Sequence, residues 1–216
     1  MYCTVGGIRL YYEVMGTGAP LIMLHGNGED HRIFGPAAAA LSRHYQVYTV
    51  DSRCHGESDE TEELSYELMA GDLIGFIRAL SLEKPIFYGF SDGGIIGLLI
   101  AIKEPELLGE LIVSGANVNP DGLCPSERKL IHEAALSGDR LCQLMDREPD
   151  ISPEELKKIA VPTVVLAGEL DLILRSHTQL IADSIPGSRL EFLPGEDHSS
   201  YIAYSEKLAP ILEKYL

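Results

Sequence analysis

Short apolar runs separated by helical stretches constrain this chain more than any other feature. The runs cover residues 21–24, 47–50, 85–88, 111–113 and 163–167, with a last alternating run at 189–193. Apolar runs without alternation are what strands buried on both faces require, and parallel sheets are buried in that way. Between the second and third runs, Leu64, Leu68, Leu73, Ile77 and Leu80 recur at helical spacing. Residues 95–102 are apolar nearly all round, which predicts a central, covered helix. Near the C-terminus Tyr201, Tyr204, Leu208, Ile211 and Tyr215 step by threes and fours, predicting a last amphipathic helix. Strands that alternate with helices predict an α/β fold with a mostly parallel sheet and helices on both faces. Ahead of it, Ile8, Leu10, Tyr12 and Val14 alternate with Arg9, Tyr11 and Glu13 behind the Gly6-Gly7 turn, which predicts an N-terminal hairpin.

One interval breaks the rhythm. Residues 117–150 carry no strand pattern, and Pro120, Gly122, Pro125, Gly138 and Pro149 punctuate two short helical pieces. Ser152, Pro153 and Glu155 then read as a capping box that opens a further helix. The interval is an excursion over the sheet edge rather than a separate domain, so residues 1–216 are expected to form one domain.

Charge and cysteines narrow the function classes. Thirty-three acidic against seventeen basic residues give a net charge of −16. Nucleic acid and anionic membrane both reward clustered Lys and Arg, so neither is an expected partner. The four cysteines form no C-x-x-C pair and none has zinc-ligand spacing to a histidine, so no metal is expected. Reduced thiols in a cytoplasm are expected. The N-terminus lacks a basic start and an apolar core of the kind a signal peptide has, and no apolar run is long enough to span a bilayer.

The strongest local signal is Gly89-Phe90-Ser91-Asp92-Gly93-Gly94, between a strand pattern and an apolar helix. This is G-x-S-x-G in the strand–turn–helix setting that its chemistry needs. The turn is sharp and strained, so the flanking residues must be small. The serine then stands at a helix N-terminus, where developing negative charge is favoured. A glycine-rich turn with a capping serine is the plainer reading of the pentapeptide alone. A serine nucleophile needs a base, and the base needs an orienting acid. His198 follows the last strand, whereas His31, His44, His132 and His177 fall on helical patterns and read as surface residues. Asp171 follows the strand at 163–167, and Glu169, Asp183 and Asp197 are its rivals. Loops after parallel strands open on one sheet edge, so Ser91, Asp171 and His198 should converge there.

Two other chemistries need weighing. Gly26-Asn27-Gly28 after a strand, with Asp51 ending the next, superficially copies a dinucleotide fingerprint. His31 stands where that pattern needs a small residue, and Glu29 and Asp30 would face the pyrophosphate, so no nucleotide cofactor is expected. Cys54-His55 is the other candidate, a thiol beside a base, but adjacent side chains in an irregular loop point apart.

The chain resembles the α/β-hydrolase superfamily, its esterase-like branch, over nearly its whole length. Four segments carry the resemblance in order: residues 21–28 ending in His25-Gly26-Asn27-Gly28; Asp51-Ser52-Arg53-Cys54-His55-Gly56-Glu57-Ser58; the Ser91 turn; and Gly168-Glu169-Leu170-Asp171 with Gly195-Glu196-Asp197-His198. Cys54 departs from the glycine usual in the second segment. The order Ser, Asp, His is that of the superfamily. The resemblance implies a serine hydrolase with Ser91, His198 and Asp171 as its triad, and the backbone N–H groups of Asn27 and Asp92 as its oxyanion hole. It implies residues 117–150 as a short lid, no cofactor, and a small ester-like substrate. Thioesters, lactones, amides and activated carbon–carbon bonds share such sites, as do slow-turnover receptors for small ligands.

Overall fold

The computed structural model describes residues 1–216. Strands β1 (Tyr2–Val5) and β2 (Ile8–Met15) form the N-terminal hairpin, in antiparallel register from Tyr2 opposite Tyr11 to Val5 opposite Ile8. They lead into β3 (Ala19–Leu24), β4 (Tyr45–Val50), β5 (Ile86–Phe90), β6 (Glu110–Ser114), β7 (Thr163–Gly168) and β8 (Arg189–Leu193). All eight belong to one sheet in the order β1-β2-β4-β3-β5-β6-β7-β8. β2 pairs antiparallel with β4, and every later pairing is parallel.

Alternate residues along each central strand enter opposite layers, as the pleat requires. Ile22, Leu24, Phe87, Leu111, Val113 and Val165 pack into the layer that holds α2 (Tyr66–Ala79) and α3 (Asp92–Lys103). Leu21, Met23, Tyr88, Phe90, Ile112 and Leu166 face the layer of α1 (Gly35–Leu41) and of the C-terminal segment. Burial of both faces explains why these strands read as unbroken apolar runs. α3 is buried along ten of its twelve residues, the central covered helix that residues 95–102 predict.

After β6 the chain leaves the sheet as a 3-10 turn (Pro120–Gly122), then α4 (Pro125–Leu136) and α5 (Arg140–Arg147). It returns through α6 (Pro153–Leu156), where Ser152 and Glu155 form the expected capping box. Leu123, Ile131 and Ile173 make a small apolar cluster that seats this excursion on the loop after β7. Leu144 joins the main core instead, and Leu130 and Leu136 point outward.

The helix α7 (Arg175–Ser184) precedes β8, and α8 (Leu208–Leu212) closes the chain. The C-terminal periodicity overstates that last helix. Tyr201 and Leu208 are buried as it requires, but Tyr204 has φ of 54° and lies exposed, so the chain turns there. Leu68 on α2 is exposed as well, although it shares the apolar spacing.

Candidate active site

Ser91 sits between β5 and α3 with φ 52° and ψ −114°, a strained conformation for a residue with a side chain. The turn closes only because its flanks are bare. A Cβ at Gly89 would stand 2.1 Å from the Gly93 carbonyl oxygen, and one at Gly93 would stand 2.2 Å from that of Leu24. The Ser91 N–H donates to the Ser114 carbonyl at 2.8 Å, tying the turn to β6.

His198, in the loop after β8, is brought to the same edge. Its Nδ1 lies 2.7 Å from Asp171 Oδ1, and the Asp171 side chain is only 2% exposed. A carboxylate accepts, so Nδ1 carries the proton and Nε2 is left as a base. Asp171 is itself fixed, because its oxygens accept the N–H groups of Gly168 at 3.1 Å and Ile173 at 2.9 Å. The His198 ring packs against Phe90 at 4.9 Å between centroids and over Gly115, where a Cβ would come within 2.7 Å of the ring. Ser91 and His198 line one cavity, and no hydrogen bond joins them in this structure; such bonds often tighten only when substrate binds.

The rival acids are engaged elsewhere. Glu169 accepts the Gly195 N–H, Asp183 accepts from Gln179, and Asp197 caps the N–H groups of Ser199 and Ser200.

The structure also places Asn27 beside Asp92. Their side chains are bonded, Asn27 Nδ2 donating to Asp92 Oδ2 at 2.9 Å. Asp92 is the first residue of α3, and neither its N–H nor that of Asn27 is taken up by another group of the chain. Burial raises the Asp92 carboxyl above the usual carboxylate range, against the lowering pull of its bonds from Asn27 and Tyr66.

Glu29 is a site residue that sequence reasoning missed. It lines the cavity half-buried, and its Oε2 accepts the Gly26 N–H at 3.0 Å. Burial raises its pKa, partly offset by that bond. No spacing in the sequence marks this fold-back; only the turn at Gly26–Gly28 creates it.

The segment from Asp51 to Ser58 frames the site without entering it. Asp51 is fully buried and accepts from the His31 backbone and ring and from the Glu57 N–H. Arg53 forms a bidentate buried pair with Asp72, at 2.6 and 2.7 Å. Cys54 takes φ 61°, the conformation that the family's usual glycine favours, and its thiol faces Thr61 rather than His55. His31 and His177 are buried, correcting their reading as surface residues. His31 is held by Asp51, and His177 Nε2 accepts the Val118 N–H at the root of the excursion.

Asp30, His31 and Asp51 bring potential metal-ligand atoms within 4.8 Å of one another. Their oxygens and nitrogens are already spent, Asp30 on Arg32 and Asp51 on His31 and Glu57, so the group is a structural knot. All four cysteines are free thiols.

The cavity measures about 330 Å³, near the lower end for small-molecule sites. Gly26, Asn27, Phe90, Ser91 and His198 form its floor, and Leu123, Ile131, Cys142 and Met145 from the excursion form its far wall. No helix is long and apolar enough to cross a membrane.

Comparison with known proteins gives a consistent picture. The family model described as the alpha/beta hydrolase fold matches residues 19–135. Serine hydrolase BPHL of Homo sapiens is 27% identical over 98% of this chain and 84% of its own length. 3-oxoadipate enol-lactonase 1 of Acinetobacter baylyi is 38% identical over 51% of this chain and 42% of its own. Among solved structures, an esterase from Exiguobacterium antarcticum superposes with a TM-score of 0.87 at 23% identity, covering 99% of this chain and 98% of that one.

Proposed function

The chain belongs to the α/β-hydrolase fold family, and on that premise we propose that it is a serine hydrolase, a carboxylesterase of small esters. One observation carries the reading: the buried Asp171 holds His198 Nδ1 at 2.7 Å, on the cavity that a strained Ser91 also lines. Ser91 Oγ attacks the ester carbonyl as His198 Nε2 takes its proton. Asp171 keeps the ring in the productive tautomer and stabilises the imidazolium. The N–H groups of Asn27 and Asp92 bind the oxyanion, each contributing roughly 2.7–4 kcal/mol to the transition state. The imidazolium protonates the leaving alcohol, and water activated by His198 then releases the acid from the acyl-enzyme.

A lactone is a cyclic ester and would open by the same steps. The resemblance to an enol-lactonase over half of this chain supports it as a second substrate class. Steady-state hydrolysis of a panel of p-nitrophenyl esters and lactones by wild type and Ser91→Ala tests the reading. Turnover that Ser91→Ala abolishes supports it, and turnover that survives the substitution refutes it.

A further inference from the structure

In the proposed reaction two backbone N–H groups must serve one oxygen. They come from loops 65 positions apart in the sequence, after β3 and after β5. Catalytic groups must be held to within about 0.5 Å, so their relative position needs a fixed tie. Asn27 lies in a short loop whose following residue, Gly28, has φ 69°, and little backbone bonding restrains it.

The side chains of the same two residues supply a tie. Asn27 Nδ2 donates to Asp92 Oδ2 at 2.9 Å, and the Tyr66 hydroxyl donates to Asp92 Oδ1 at 2.8 Å. Tyr66 is fully buried at the start of α2, and its N–H donates to Glu148 Oε2 at 2.9 Å. Neither Asp92 nor Tyr66 lines the cavity. The acid beside the nucleophile is therefore spent on the fold rather than offered to substrate.

We propose that Tyr66, Asp92 and Asn27 form a brace that holds the two oxyanion donors in register, with Tyr66 as a remote positioning residue. The inference rests on the serine hydrolase reading above. With both oxygens held, the Asp92 carboxylate has one orientation. Without the Tyr66 hydroxyl, a buried oxygen loses its donor, and the carboxylate must turn or draw in water. Asn27 is then released, and its N–H drifts from the position that Asp92 N–H demands.

The test is a double-mutant cycle on ester hydrolysis with Tyr66→Phe, Asn27→Ala and the pair, with urea unfolding of each. Asn27→Ala keeps the backbone donor and removes the tie; Asn27 also lines the cavity, so a change in substrate binding is read from KM and loss of the tie from kcat. Each single variant should lower kcat by about 10- to 100-fold and leave KM within about twofold, somewhat less than outright loss of a donor. The pair should be no worse than about twofold below the poorer single variant, because both cut the same chain of bonds through Asp92. A folded Tyr66→Phe with kcat within about threefold of wild type, or losses that multiply in the pair, overturns the brace. If Tyr66→Phe does not fold, Asn27→Ala decides by the same kcat and KM criteria. A wild type that hydrolyses no ester and takes no fluorophosphonate refutes the hydrolase reading and the brace with it. An active wild type with unchanged variants refutes the brace alone.

Discussion

Asp171 holds His198 at 2.7 Å while its own oxygens accept two backbone N–H groups, from Gly168 and Ile173. Its direction is thus set independently of His198. Asp197, adjacent to His198 in sequence, is turned away to cap Ser199 and Ser200.

That contrast fixes the ranking of two variants. Asp171→Asn should lower kcat on the order of 10⁴-fold, because an amide leaves His198 in the wrong tautomer. Asp197→Asn should cost less than about tenfold, through the loop alone. Steady-state kinetics on one ester decide it, and the reverse order would move the acid to Asp197.

Chain-length preference follows from the size of the cavity. From residues 117–150 only Leu123, Ile131, Cys142 and Met145 bring apolar surface to its wall, and Leu130 and Leu136 face solvent rather than extending it. A long acyl chain would leave its distal carbons in water and gain little of the roughly 0.8 kcal/mol available per buried CH₂. For p-nitrophenyl esters, kcat/KM should peak at about two to six acyl carbons and then flatten or fall. A steady rise through about twelve carbons would show a groove that the cavity does not reveal.

The buried Arg53–Asp72 pair predicts a stability defect away from the chemistry. Asp72→Ala leaves the Arg53 guanidinium, 9% exposed, without its partner. Breaking such a pair costs about 3–5 kcal/mol, read by urea unfolding. A loss under about 1 kcal/mol would mean that water reaches Arg53 freely.

Acid should weaken the fold through His25. Burial, and then the neighbouring His55, push its pKa down from 6.5 to about 4. Its Nδ1 donates to the Gly26 carbonyl and its Nε2 accepts the Ser52 N–H, so the native site takes the neutral ring. The unfolded chain binds a proton near pH 6.5 and the native chain only near 4. Stability is therefore full above about pH 6.5 and falls by about 3 kcal/mol as pH drops to about 4. The pKa of buried His177 is also lowered, so it acts in the same direction. Unfolding free energies at intervals across this range check it, with His25→Gln as the control. An equally steep profile in that variant would assign the acid sensitivity to other groups.

Most of the fold was legible because it depends on patterns within short windows. The strands at 21–24 and 163–167 could be read since both faces are buried, and the Ser91 turn since its geometry tolerates only glycine at 89 and 93. What was not legible depends on meetings across the chain. Tyr66 reads as a helix residue, and nothing in its neighbourhood points to Asp92. Glu29 counts in the sequence only as a charge against a bound pyrophosphate, and the Gly26 turn alone brings it back to the cavity. His31 and His177 keep a polar sequence context although Asp51 and Val118 satisfy them in the interior. Tyr204 fits a helical period that the exposed turn at its own position interrupts.

In the proposed reaction Ser91 is the covalent centre. Its most direct test is to react the native protein with a fluorophosphonate and map the adduct by mass spectrometry. A single adduct on Ser91, absent in a folded Ser91→Ala, is the predicted result. Labelling mainly on another serine, or none while ester turnover continues, would contradict the account.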